Sequence, residues 1–262
     1  MKMSKSLVDK RRMAILKKLQ EQDEVKVDAL AAEFGLSLMT VRRDLQYLED
    51  HKLIDRFYGG ATARLAPESM SEEDEVQLCR RCISQYAARF VETGDTLFIN
   101  GSYTALDMLH YVQHQRVQVY TNNGRAFGET FAPGVALTLT GGTIRDSVLV
   151  GELAMRNLLS QTATKTFIGC ATLTETGEFG YNIPNEIGIN EAMISRTTKE
   201  LFILADHTKL KPRSTLDLNY GSCTYERNWT LITDDKANPK LVESLRALGK
   251  TVIQVGIGDL LI

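Results

Sequence analysis

The chain has 262 residues, 43% apolar and 24% charged, which is enough for a small domain plus one of ordinary size, each with its own core. No apolar run approaches the roughly 20 residues that span a bilayer, and Asp9, Lys10, Arg11, Arg12, Lys17 and Lys18 interrupt any apolar leader, so a membrane class is excluded and a cytoplasmic location expected. The net charge is only −2, but residues 1–64 carry 13 Lys and Arg against 10 Asp and Glu while the remainder carries 18 against 23, a skew that points a polyanionic partner to the N-terminal end.

In chain order, Val8, Ile15 and Leu19 make the apolar stripe of an opening helix that should brace its successors. Val27, Leu30, Ala31 and Phe34 fall at i, i+3, i+4 and i+7, the stripe of a second helix. Gly35 ends it in the left-handed conformation, Leu36 packs back, and Ser37 caps a third helix over residues 38–50. Two helices joined by such a turn form a helix-turn-helix. In the third helix Val41, Leu45 and Leu48 must face inward, so Met39, Arg43 and Gln46 face out, flanked by Thr40, Tyr47 and Arg42. Asp44 sits nearer the buried stripe and is expected to pair inside the protein. Arginine can fork onto guanine, glutamine onto adenine, and Thr40 or Met39 can touch a thymine methyl. Residues 53–57 and 61–65 read as hairpin strands joined through Gly59-Gly60, a wing from which Arg56, Tyr58 and Arg64 reach phosphates. The expected partner is double-stranded operator DNA, held by Ser37, Met39, Thr40, Arg42, Arg43, Gln46, Tyr47, Arg56, Tyr58 and Arg64. One module reads only a few base pairs, so a homo-oligomer, dimer or tetramer, is expected.

Residues 67–74 are polar and acidic with a proline, which divides the chain into residues 1–64, a linker at 65–75 and a second domain at 76–262. Cys79-Arg80-Arg81-Cys82 has metal-ligand spacing, but Cys79, Ile83, Tyr86, Ala87 and Phe90 share one helical stripe over 75–93, and neither Cys170 nor Cys223 brings a second pair or a nearby histidine, so no metal or cofactor is expected. Extended stretches at 96–100, 117–121, 135–140, 166–170, 201–205, 229–233 and 252–255 then alternate with helices at 103–113, 124–131, 186–198 and 239–248. That alternation predicts an α/β parallel sheet covered on both faces, with its ligand where strands end. Four loops there offer glycines, hydroxyls, amides and cations to an anion: Asn100, Gly101, Ser102, Tyr103 and Thr104; Thr121, Asn122 and Asn123; Gly141, Gly142 and Arg145; and Asp206 through Lys209.

Leu36-Ser37-Leu38-Met39-Thr40-Val41-Arg42-Arg43-Asp44-Leu45 and Tyr58-Gly59-Gly60-Ala61 resemble the N-terminal domain of DeoR-type bacterial transcription regulators. The loop at 100–104 is similar to that family's Asp-Ser-Gly-Thr-Thr phosphate loop, and Thr121-Asn122, Gly141-Gly142, Gly151 and Asp206 through Lys209 match further family motifs in order. The resemblance covers nearly the whole chain. It implies a winged helix-turn-helix that binds operators, and a C-terminal α/β parallel-sheet sensor domain resembling ribose-5-phosphate isomerase that senses a phosphorylated sugar or similar anionic metabolite, with repression of carbohydrate metabolism genes as the outcome.

Two departures from the family stand out. Asn100 replaces the acid of the first loop, with Gly and Ser exchanged and Tyr103 adding bulk; and Ala171 in Gly169-Cys170-Ala171-Thr172-Leu173 stands where the family carries an aspartate. Residues 178–190 also stray from the family's Thr-Thr-rich loop, which leaves the effector open. The rival readings are a sugar-phosphate isomerase-like enzyme and a DNA-bound regulator with no small ligand. An aldose-ketose isomerase needs a carboxylate to move its proton, and Ala171 and Asn100 remove the best-placed candidates.

Overall fold

The computed structural model describes residues 5–22, 24–50, 53–63, 72–113, 116–183, 185–215 and 221–256. Two compact units divide between Gln77 and Leu78.

The first unit runs α1 (Lys5–Glu21), β1 (Val25–Lys26), α2 (Val27–Phe34), α3 (Leu38–Asp50), β2 (Ile54–Phe57) and β3 (Gly60–Ala63). Its core is the set of stripes expected from periodicity: Ile15, Leu19, Leu30, Val41, Leu45 and Leu48 are buried, joined by Leu16, Ile54 and Ala61. Gly35 closes α2 at φ 61° and ψ 37°, the left-handed cap that only glycine takes without strain, and Leu36 N–H donates back to Ala31 O at 2.9 Å. Asp44 is 1% exposed and accepts from Arg11 at 2.6 and 3.0 Å and from Arg12 at 3.2 Å, which pins α1 to α3. The wing is three antiparallel strands in the order β1-β3-β2, where the sequence predicts a two-stranded hairpin. β1 is two residues long and shows no alternation to read. Gly60 admits this third strand, because a Cβ there would meet Val25 O at 2.6 Å.

The second unit opens within α4 (Glu72–Ala87). Glu72, Glu73, Asp74 and Glu75 form its first turn, so the last residues of the expected linker are helical. Acidic side chains at a helix N-terminus complement the backbone dipole, and the same composition that reads as linker starts the helix. There follow β4 (Thr96–Ile99), α5 (Tyr103–Asp107), β5 (Val117–Thr121), β6 (Val135–Leu139), β7 (Thr143–Arg145), β8 (Val148–Val150), α6 (Glu152–Leu159), β9 (Ala163–Ile168), β10 (Thr172–Leu173), β11 (Glu178–Gly180), α7 (Glu186–Ser195), β12 (Thr197–Leu204), β13 (Ser222–Thr224), β14 (Thr230–Asp234), α8 (Pro239–Ala247) and β15 (Thr251–Val255). Seven strands form one parallel sheet in the order β15-β14-β12-β9-β4-β5-β6.

Phe98, Phe167 and Phe202 are fully buried in this sheet, with Phe167 and Phe202 stacked at 4.8 Å, each ring contributing about 1.5–3 kcal/mol of burial. Lys165 is buried within β9 and neutralised by Asp95 and Glu92, both at 2.9 Å. The helix expected over 103–113 tightens after Asp107 into a 3₁₀ turn, and that expected over 124–131 is a 3₁₀ segment ending at Gly128, short of Pro133. The hairpin of β7 and β8 and the small sheet β10-β11-β13 were not expected at all, since strands of two or three residues are too short for a period.

Candidate functional site

Because Val41, Asp44, Leu45 and Leu48 occupy the inner face of α3, Met39, Arg42, Arg43 and Gln46 stand in solvent, Met39 61% exposed. Thr40 and Tyr47 lie half-buried at the margins. Ser37 Oγ accepts the Thr40 N–H at 3.2 Å and lies 2.8 Å from the Thr40 hydroxyl, so both side chains start the helix. The Arg12 guanidinium covers the Tyr47 ring at 3.6 Å. On the wing, Arg56 donates to the Gln46 side-chain carbonyl and sits 3.5 Å from Glu49, which draws its charge toward α3, while Tyr58 stands fully exposed at the hairpin turn. Arg64 lies outside the described residues. The structure thus gathers the other expected DNA-contact residues on α3, its cap and the wing.

In the second unit a cavity of about 400 Å³ opens at the carboxyl ends of the strands, a size suited to a small metabolite. Sheet order explains its position. From β4 the chain moves to β5 and β6 on one side and returns to β9 on the other, so the loops leaving β4 and β9 part and leave a crevice. Gly101, Ser102, Tyr103 and Thr104 line it from the first loop, Gly169, Cys170 and Ala171 from the second, and Asp206 and Lys209 from the loop after β12. Gly169 lets the first two meet, because a Cβ there would collide with Ser102.

The remaining expected effector residues do not line this cavity. Asn100 is buried beneath it: its amide donates to Gly169 O at 2.9 Å and Asn190 Oδ1 at 3.1 Å, and its carbonyl accepts from Gly169 N at 3.0 Å and Ser102 N at 3.2 Å. An aspartate could not make the first two bonds, which accounts for the amide. Thr121, Asn122 and Asn123 are also buried, bonded to Asn123 N, Leu149 O and Ser102 O, so they brace loops. Gly141 and Gly142 form the turn into β7 with φ of 68° and 118°, and a Cβ on Gly142 would meet Val150 O at 2.6 Å. Arg145 is exposed on β7, paired with Val148 across the hairpin, outside the lining.

Other charges take those places: Arg80 of α4, Arg125 after β5, Asp146 at the β7–β8 tip and Glu186 at the start of α7. Arg80 bonds Asp206 at 2.8 Å. Burial alone would raise the Asp206 carboxyl, but bonds from Thr208 and Arg80 outweigh it and hold the group below the ordinary range, as an anion. Arg125 stacks on the exposed Tyr103 ring at 3.6 Å, a wall that a threonine could not supply. Glu186 is 8% exposed, burial pushes its carboxyl up to about 7, and among the described residues no side chain or N–H bonds that carboxyl. Sequence reading missed these residues because Arg80 sits in a Cys-x-x-Cys context, Glu186 in a segment that strays from the family, Arg125 in a stretch read as an ordinary helix, and Asp146 at the tip of a hairpin that was not expected.

The comparisons with known proteins cover both units. A family model described as the DeoR-like helix-turn-helix domain matches residues 11–64, and one described as the DeoR C terminal sensor domain matches residues 77–235. Among relatives, the HTH-type transcriptional regulator GlpR of Haloferax volcanii is 28% identical over 93% of this chain and 96% of its own length. The glycerol-3-phosphate regulon repressor of Haemophilus influenzae is 26% identical over 76% and 80%, and the lactose phosphotransferase system repressor of Lactococcus lactis is 25% identical over 89% and 94%. Among solved structures, ribose 5-phosphate isomerase A from Methanocaldococcus jannaschii aligns at a TM-score of 0.38 with 14% identity, over 54% of this chain and 56% of that one.

Proposed function

Because the chain belongs to the DeoR family of transcription regulators, whose helix-turn-helix and sensor models it matches in order, we propose that it represses carbohydrate genes by binding paired operator half-sites as a homo-oligomer and that a phosphorylated sugar or similar anion in the cavity changes its grip on DNA. The members named above are regulators and repressors, not enzymes. In this reading Arg42, Arg43, Gln46, Met39 and Thr40 meet bases, and Ser37, Tyr47, Arg56, Tyr58 and Arg64 hold the backbone.

The observation that carries the effector reading is the lining of the switch-point cavity. Ser102 and Thr104 offer hydroxyls, and Arg80, Arg125 and Lys209 offer cations, beside a buried carboxyl at Glu186 that has no partner among the described residues. Cations and hydroxyls suit a phosphate, and an unpartnered carboxyl suits the hydroxyls of a sugar. Screening phosphorylated sugars for a thermal shift of the purified protein tests this, since a ligand at about 100 times its Kd adds ~2.7 kcal/mol. A shift by phosphorylated but not by unphosphorylated sugars supports the reading; a flat screen overturns it.

A further inference from the structure

We infer that Cys79, His207 and Asp234, none of which lines the effector cavity, form a site for one transition-metal ion of the zinc class. Cys79 lies on α4, His207 begins the 3₁₀ turn after β12, and Asp234 ends β14, so three elements distant in sequence converge. One thiol sulfur, one imidazole nitrogen and one carboxylate oxygen lie within 4.8 Å of one another, and His207 Nδ1 is 2.9 Å from Asp234 Oδ1. Donors of one tetrahedral zinc stand roughly 3 to 4 Å apart, so a small side-chain rotation closes the set.

A mixed thiolate, imidazole and carboxylate set selects a borderline ion over magnesium or calcium, which prefer oxygen alone. The carboxylate is already aimed: Asp234 accepts the backbone N–H of His207 at 2.7 Å and of Lys236 at 3.0 Å, so it is held in place before any ion arrives. Asp206 and Asp235 lie close enough to add negative potential at the thiol, although Arg80 offsets the first. Cys79 and Asp234 are buried, while the His207 side chain is 23% exposed and so reaches solvent. The competing account is a hydrogen-bonded cluster in which the Cys79 thiol and the imidazole both donate to Asp234. Binding would replace those two bonds. The thiol proton leaves to solvent, the Nδ1 proton moves through solvent to Nε2, and one proton is released for each ion bound.

The test is a Co²⁺ titration of the chelator-treated full-length protein, followed by absorbance, with proton release in a weakly buffered sample. The site predicts one ion per chain, a thiolate-to-cobalt charge-transfer band in the near ultraviolet, visible bands of four-coordinate intensity, and displacement by Zn²⁺. Cys79→Ser should lose the charge-transfer band, and His207→Gln should bind about tenfold or more weakly. Both variants are checked by circular dichroism, and Asp234 is left intact because it also anchors two loops. Absence of the band in the wild type, its persistence in Cys79→Ser, or unchanged affinity in His207→Gln overturns the assignment. None of these readouts depends on DNA or on the effector, so their failure leaves the regulatory reading untouched.

Discussion

Replacing Asp44 by alanine should destabilise the DNA-binding unit while sparing the second one. The carboxylate is 1% exposed and takes three bonds, at 2.6, 3.0 and 3.2 Å, from Arg11 and Arg12. Truncation leaves two guanidiniums that had been neutralised, and breaking a buried pair in this way costs about 3–5 kcal/mol. The arginine side chains are 14% and 18% exposed and can turn partly to water, which lowers the expectation to about 2–4 kcal/mol. A unit running from Met1 to Gln77 has about 4–12 kcal/mol in total, so the loss is a large share of it. Hydrogen exchange followed by mass spectrometry on the whole chain reads this locally: amides of α1 and α3 should exchange roughly 30- to 1000-fold faster, with those of β4 and β9 unchanged. Asp44→Asn, which keeps one acceptor and the shape, should fall between. Wild-type exchange in α3 of the alanine variant would refute the idea that this ion cluster fixes the recognition helix.

For DNA readout, Arg43→Ala should cost ~1–3 kcal/mol and relax specificity at one operator position, whereas Arg56→Ala should weaken all sequences and flatten the salt dependence; equal operator binding by Arg43→Ala and the wild type, in an anisotropy titration, would misplace the recognition face. For Glu186, burial raises the folded carboxyl to about 7 from the ordinary 4.5, so the folded state holds a proton that the unfolded chain has released. Stability is therefore full below pH ~4.5 and declines through pH ~7, by up to about 3 kcal/mol. Glu186→Gln should remove that decline in urea unfolding at pH 5 and pH 8, and a variant that keeps the wild-type slope would assign it elsewhere. Asn100→Ala removes a side chain making four bonds, two with Gly169 after β9, one with Asn190 of α7 and one with Ser102, and should lower stability by ~2–4 kcal/mol; a variant of wild-type melting temperature that had lost only its effector response would return Asn100 to the ligand.

The DNA-binding unit was readable because its signals are local. A stripe such as Val41, Leu45 and Leu48 fixes one helix face, and Gly35 and Ser37 mark the ends, so the outward residues follow by rotation. Strand order was not readable in the same way. The parallel sheet could be inferred from alternation, but the crevice depends on β9 returning to the far side of β4, a long-range pairing with no trace in either segment. The loops at 100–104 and 206–209 were therefore found as loops, while which of their residues face the cavity was decided by packing. Asn100 and Asn123 look like ligand donors in sequence, yet their amides are spent on Gly169 O and Ser102 O. Arg80 and Glu186 had no such signal, since each lies on a helix whose partner loop comes from more than a hundred residues away or from a neighbouring crossover.

The most direct test of the account is operator affinity with and without the phosphorylated sugar that most raises the melting temperature, measured for the wild type, Lys209→Ala and Arg145→Ala. The cavity account predicts a change of ~1–3 kcal/mol in the wild type. Lys209→Ala should bind operator normally in the absence of sugar and lose that response, while Arg145→Ala, outside the lining, should keep it. A full response in Lys209→Ala, or its loss in Arg145→Ala alone, would place the effector on the β7–β8 hairpin and contradict the account.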